Sequence, residues 1–197
     1  VDFSDTRPET IQIMSGLSTL APKIVEYRKI KLKEFDLDAA LKRRPELILV
    51  DELAHTNAPG MRNKKRYQDV EELLNAGIDV FTTVNVQHLE SLNDVVQKIT
   101  QIDVKETISD DIFNQADKIR LIDIEPDELL RRFESGKVYR PERTQKALEN
   151  FFTRENLRLL REIAMRQAAN RISADYFQSN RRLSLRDSGL LPDGAGF

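Results

Sequence analysis

The sequence predicts an α/β fold: a mainly parallel sheet flanked by helices, with a helical C-terminal extension. Two observations carry this. Strand-like apolar runs alternate with segments of helical period along most of the chain. And Leu47-Ile48-Leu49-Val50 is an unbroken apolar run ending in two carboxylates, Asp51 and Glu52, as a strand buried on both faces would.

Thr6-Arg7-Pro8-Glu9-Thr10 starts a helix, with Pro in the first turn, that runs to Leu17. Lys23 to Tyr27 is a strand. Phe35 to Leu41 is a helix that stops before Pro45. Leu47 to Val50 is the central strand, with helices expected on both of its faces. Tyr67 to Asn75 is a helix closed by Gly77. Ile78 to Val84, rich in β-branched residues, is a strand. His88 to Thr100 is an amphipathic helix with Leu89, Leu92, Val95, Val96 and Ile99 on one face. Lys118 to Ile124 reads as a strand, Pro126 to Glu134 as a helix, and Thr144 to Phe152 and Glu155 to about Arg171 as further helices. Ser179 to Phe197 has no clean period and reads as a linker or tail, with Leu183, Leu185, Leu190 and Leu191 available to dock it.

The organisation expected is therefore residues 1–139 as the α/β domain, 140–178 as the helical extension and 179–197 as linker or tail. A chain of 197 residues suits one domain with an appendage. A net charge of −2 gives no global field for nucleic acid or membrane. With no Cys there is no disulfide framework and no thiolate metal site. No signal peptide and no apolar run of membrane-helix length occurs. Basic residues outnumber acidic ones from Arg140 to Arg186; this is a solvated helix face or a surface for acidic partners or anionic lipid heads.

Ligands of open parallel sheets gather beyond the carboxyl ends of the strands. Asp51 and Glu52 stand at such an end, where adjacent carboxylates can hold a hydrated Mg²⁺, the arrangement called Walker B. The alternative is that Asp51 only caps the loop. His55, Thr56 and Asn57 either face a phosphate or form an Asx or Ser/Thr turn into Pro59-Gly60. Asn85, at the end of the Ile78–Val84 strand, either reaches toward a γ-phosphate or, like Thr83, caps the next helix. Arg62-Asn63-Lys64-Lys65-Arg66 either touches phosphates or is an exposed basic loop. His55 and His88 match no zinc spacing.

The run from Asp51-Glu52-Leu53-Ala54-His55-Thr56-Asn57-Ala58-Pro59-Gly60 into Lys65 to Leu74 and then Ala76-Gly77-Ile78 to Asp94 closely resembles the N-terminal cytoplasmic domain of the KdpD family of bacterial potassium sensor histidine kinases. So do Ala116-Asp117, Pro126-Asp127-Glu128-Leu129-Leu130, Gly136-Lys137-Val138-Tyr139 and Asn150-Phe151-Phe152, so that the resemblance extends to about Ile172. It implies a phosphate-loop NTPase-like fold, ATP and Mg²⁺ as cofactors of the complete domain, Asp51 acting on Mg²⁺ through water, and Glu52 positioning a water or sensing the γ-phosphate. It implies a regulatory input role in a two-component kinase controlling potassium-transport genes, on the cytoplasmic side of the bacterial inner membrane. The implied partners are the parent's universal-stress-like, membrane and kinase domains, a response regulator reached indirectly, nucleotide, and a dimer formed through the parent.

The chain departs from the family pattern in two places. No G-x-x-x-x-G-K-[ST] occurs, and Val1-Asp2-Phe3 falls in the family's second strand, as in a truncated chain, a partial sequence or a degenerate homologue; this half-site alone should hold ATP weakly or not at all. Met61 and Asn63 stand where the family commonly has Ser and His. The kinase catalytic core does not occur in this chain. A phosphate-loop ATPase or small-molecule kinase is the competing enzyme reading. A nucleic-acid-binding protein is the third, and the near-zero net charge without interleaved aromatics speaks against it.

Overall fold

The computed structural model describes residues 12–135 and 151–187, with side chains described as far as residue 173. Its elements are β1 (Lys23–Tyr27), β2 (Ile30–Glu34), α1 (Leu37–Arg43), β3 (Leu47–Val50), α2 (Arg66–Asn75), β4 (Asp79–Thr82), α3 (Asn93–Thr100), α4 (Asp110–Asn114), α5 (Pro126–Glu134) and α6 (Arg154–Asp187). The fold is mixed α/β.

β3, α2 and β4 form the βαβ unit that the sequence foretold. β3 and β4 pair in parallel, Leu47 opposite Asp79 through Val50 opposite Thr82. α2 begins where the Gln68 side chain accepts the Lys65 backbone N–H at 3.0 Å. It ends in a Schellman turn: Ile78 N–H donates to Leu73 O at 3.1 Å and Gly77 N–H to Leu74 O at 2.9 Å, with Gly77 at φ +77°. α1 is capped by Asp36, whose carboxylate accepts the Ala39 N–H at 3.0 Å, and it stops at left-handed Arg44 ahead of Pro45. The core joins Phe35, Leu37, Ala40, Ile48, Val50, Val70, Leu73, Ile78, Leu89 and Ile108.

Four expectations are corrected. The central strand is not buried on both faces. Ile48 and Val50 are covered, but Leu47 and Leu49 are 45% and 41% exposed, because helices pack on only one face of β3 among the described residues. A run of four apolar residues carries no periodicity that could have shown this. Second, β1 does not join a parallel sheet; it forms an antiparallel hairpin with β2, so the described strands make two separate pairs. β2 was missed because the turn, Arg28-Lys29, lacks the Asn-Gly signature of a tight hairpin. Third, 118–124 is not a strand; it has the composition but no partner edge among the described residues. Fourth, α6 does not end near Arg171 but continues to Asp187, through the expected start of the tail at Ser179.

Smaller differences follow. Val86–His88 and Glu90–Leu92 are 3₁₀ turns, and α3 starts only at Asn93; Val95 is exposed while Leu89 and Val96 are fully buried. Of the expected first helix, residues 12–14 are helical and the start lies outside the described residues. The segments 136–150 and 188–197 also lie outside them. α6 packs by Leu157, Leu160 and Ala168. It is anchored where Arg161 grips Asp123 at 2.7 and 2.6 Å and Glu125 at 3.0 and 2.7 Å. The Arg161 guanidinium holds the Asp123 carboxyl below its ordinary pKa. No described helix is long and apolar enough to cross a membrane.

Candidate functional site

The parallel register brings the ends of β3 and β4 together. Asp51 follows the last residue of β3 and Thr83 the last of β4. The Thr83 hydroxyl donates to Asp51 Oδ1, the same oxygen accepts the Glu52 N–H at 3.1 Å, and the Leu53 N–H donates to Thr83 O at 2.9 Å. The Thr83 Oγ also accepts from the Glu52 N–H at 3.2 Å. One carboxylate oxygen of Asp51 is thus fixed, while Oδ2 meets no protein partner among the described residues. Glu52 is exposed and sits at φ +56°, a left-handed conformation that a non-glycine residue adopts only when its surroundings enforce it. The three bonds from Thr83 to this corner are that enforcement.

Beyond Leu53 the loop folds inward and is held by two glutamates. Glu34, 4% exposed at the end of β2, accepts the Ala58 N–H at 2.7 Å, meets His55 Nε2 at 3.3 Å and pairs with Arg66 Nη2 at 3.1 Å. Glu106 accepts the Thr56 N–H at 2.7 Å and lies 3.9 Å from His55 Nδ1. Glu106 is placed by a short parallel bridge in which Ile108 N–H donates to His88 O at 2.8 Å and Glu90 N–H to Ile108 O at 3.0 Å, reinforced by a 2.7 Å contact of His88 Nδ1 with Glu106 O.

Asn57 is 6% exposed. Its amide nitrogen donates to Asp69 Oδ2 at 2.7 Å and to Asn63 O at 3.1 Å, and its oxygen accepts from Arg66 Nε at 3.2 Å. Both amide protons are therefore spent inside the protein, on Asp69 and Asn63. Thr56 accepts from Lys65 Nζ at 2.8 Å. Asn85 is exposed and starts the 3₁₀ turn through its backbone, with no side-chain cap bond.

The two arginines of the basic run are neutralised within the fold. Arg66 is buried and stacks 5.7 Å from the Phe35 ring; Arg62 pairs with Glu72 at 2.5 Å and Asp38 at 3.1 Å. Asn63 donates to Asp69 at 3.0 Å and Glu72 at 2.7 Å. Burial pushes the Asp69 carboxyl above its ordinary pKa, against the opposing pull of Asn57, Asn63 and Arg66.

Sequence reasoning missed Glu34, Arg66, Asp69 and Glu106 as partners of the loop, and saw Thr83 only as a cap. The one available signal was Thr83, a hydroxyl at the carboxyl end of a strand. Among the described residues no cluster of His, Cys, Asp and Glu forms a ready metal site, so a cation at Asp51 would need a ligand's own oxygens.

Comparison with known proteins defines the class first: the family described as "Osmosensitive K+ channel His kinase sensor domain" matches residues 3–172, a sensor domain of histidine-kinase type. The chain belongs to the KdpD family. It is 58% identical over 167 residues to the sensor protein KdpD of Clostridium acetobutylicum, covering 85% of this chain and 19% of that protein. It is 56% identical over 166 residues to the sensor protein KdpD of Escherichia coli, covering 84% and 19% respectively. The sensor protein KdpD of Mycobacterium tuberculosis is 52% identical over 159 residues, covering 81% and 18%. The chain thus spans about a fifth of the length of these relatives.

Proposed function

We propose that this chain is a regulatory input domain on the cytoplasmic side of a two-component sensor histidine kinase that governs potassium-transport genes. Asp51 and Glu52 form the cation and water half of a nucleotide site of phosphate-loop type. The observation that carries this is the strand-end geometry: Asp51 at the carboxyl end of a parallel strand, one oxygen fixed by Thr83 and the other open, beside an exposed Glu52. Hard oxygen donors fit Mg²⁺, which prefers one or two carboxylates alongside substrate phosphates. Mg-ATP, when bound, supplies phosphate charge whose presence or absence distinguishes two signalling states. Asp51 would hold the cation through a water, and Glu52 would orient a water or read the outer phosphate. Asn85 follows Thr83 closely enough in sequence to contribute from the same edge. His55, Thr56 and Asn57 keep the loop beneath the carboxylates in shape.

The organisation proposed is an α/β domain over 1–139 and a helical extension from 140 whose α6 runs on to Asp187, toward the parent's further domains. The parent dimerises and passes its output to a response regulator.

The test is calorimetric titration of Mg-ATP into the parent protein and into Asp51→Asn, with the kinase domain's own ATP site fitted separately and the second site compared. Binding by the parent that weakens at least tenfold in the variant supports the reading. Equal affinity in the two would refute it. The chain on its own is expected to bind Mg-ATP weakly or not at all; sub-micromolar affinity there would contradict the half-site description.

A further inference from the structure

The β1–β2 hairpin is exposed along most of its length. From Lys23 to Lys33 only Val25 and Leu32 are even half-buried; every other residue is exposed. Its composition is lopsided: residues 23–33 hold five basic residues and one acid, Glu26, in a chain whose net charge is −2, and Lys23 pairs with Asp38 at 3.7 Å. Among the described residues Lys29 and Lys31 make no ion pair. Ile30 is 62% exposed, Ile24 54% and Tyr27 36%, so apolar side chains stand among the cations.

The turn itself is costly. Arg28 and Lys29 both sit at positive φ, +48° and +66°, in a two-residue turn joining Tyr27 to Ile30. That turn favours Asn-Gly, because a side chain with a Cβ is strained there. Two long cations occupy positions that conformational preference assigns to Asn and Gly. Arg28 is steadied by the Tyr27 ring, 5.1 Å from its guanidinium carbon. Strain held at an exposed tip points to a use for the side chains rather than for the fold.

We propose that this hairpin tip docks on an anionic lipid surface. Tyr27 and Ile30 enter the headgroup boundary while Arg28, Lys29 and Lys31 meet lipid phosphates. The exposed tip selects a lipid face over an acidic protein segment: Arg28, Lys29 and Ile30 stand clear of the cleft that the inner side of the hairpin forms with His55, Thr56 and Pro59. An aromatic and an isoleucine flanked by long cations match the apolar-to-charged gradient of a membrane boundary, with the cations' aliphatic stems spanning it. The observation is independent of the Asp51 site.

The experiment is co-sedimentation of the full chain with vesicles of equal parts phosphatidylglycerol and phosphatidylcholine, against pure phosphatidylcholine, at low and high salt. Binding to the anionic vesicles only, weakened by salt, is expected. The double variant Arg28→Asn with Lys29→Gly installs the relaxed turn, so the fold survives while both cations go; its partitioning should fall about 25-fold, at roughly fivefold per basic residue. Ile30→Ser should weaken binding several-fold at constant charge. No binding to anionic vesicles at low salt, or unchanged binding by the well-folded double variant, overturns the proposal. Hairpin-dependent binding to soluble poly-glutamate without vesicle binding also overturns it and assigns the surface to an acidic protein.

Discussion

Arg66→Met removes a buried cation while keeping an unbranched side chain over Phe35. Arg66 and Glu34 are 5% and 4% exposed, and their 3.1 Å pair is joined by bonds from Arg66 to Asn57 at 3.2 Å and a 3.6 Å approach to Asp69. Removing one partner of such a pair leaves a buried charge uncompensated, which costs about 3–5 kcal/mol. The lower part of that range applies, because Glu34 keeps the Ala58 N–H and His55. With a urea m-value of about 2 kcal/mol/M, the midpoint should fall by roughly 1.5–2 M, a large share of a typical domain's stability. The assay is urea unfolding followed by far-UV circular dichroism, extended to Glu34→Gln and the double variant. The double variant should be more stable than the sum of the single losses predicts, by about 1–3 kcal/mol, because the second change removes the orphaned charge left by the first. A midpoint shift worth less than 1 kcal/mol by Arg66→Met, or strict additivity in the cycle, would refute the argument that a coupled buried pair holds the loop.

Asp69 carries a raised pKa in the folded state, so its ionised form opposes folding; this penalty is complete above the folded pKa and relieved as pH falls toward 3.8. Asp69→Asn should therefore erase that acid-side gain in a stability-versus-pH series. It should also cost about 1–3 kcal/mol at neutral pH, since the new NH₂ would face one of the two NH₂ donors, Asn57 or Asn63, that the two carboxylate oxygens now accept from. Asp123 behaves oppositely: Arg161 lowers its folded pKa, so its contribution is present above 3.8 and lost as pH falls through the folded value. Arg161→Gln should loosen α6 from the body, seen as faster amide exchange in 154–170 with 66–75 unchanged. Gly77→Ala, with open space for a Cβ but φ +77°, should cost about 1 kcal/mol by thermal unfolding from backbone strain alone. In the parent kinase, Asp51→Asn should change the balance of autophosphorylation and response-regulator dephosphorylation at fixed ATP by a coupling of about 1–3 kcal/mol. Complete loss of autophosphorylation by a folded variant would contradict a regulatory site.

The βαβ unit was legible because its signals are local: an apolar run at Leu47–Val50, helical period across 67–75, Gly77 at the helix end. The corner at Asp51 and Glu52 was legible for the same reason. What the sequence concealed depends on residues distant along the chain. Glu34 and Arg66 look like ordinary surface charges until the fold buries them against one another, 32 positions apart. The 118–124 segment shows the converse, since β-propensity describes a side chain's fitness for a ladder but cannot supply the neighbouring strand. Arg28 and Lys29 hid a hairpin because they are the wrong residues for the turn they make.

The uninterrupted course of α6 has a mechanical consequence. A helix of 34 residues is about 51 Å long, and its last described tether is Arg171, which donates to Asn114 O and Ala116 O at 3.0 Å, leaving about 24 Å from there to Asp187. The tethers at Arg161 and Arg171 are then a fulcrum and the helix beyond them a lever. A tilt of about 5° at Arg171 sweeps the far end through roughly 2 Å, from the 1.5 Å rise per residue. Displacement is thereby amplified, and force reduced, along a single covalent rod.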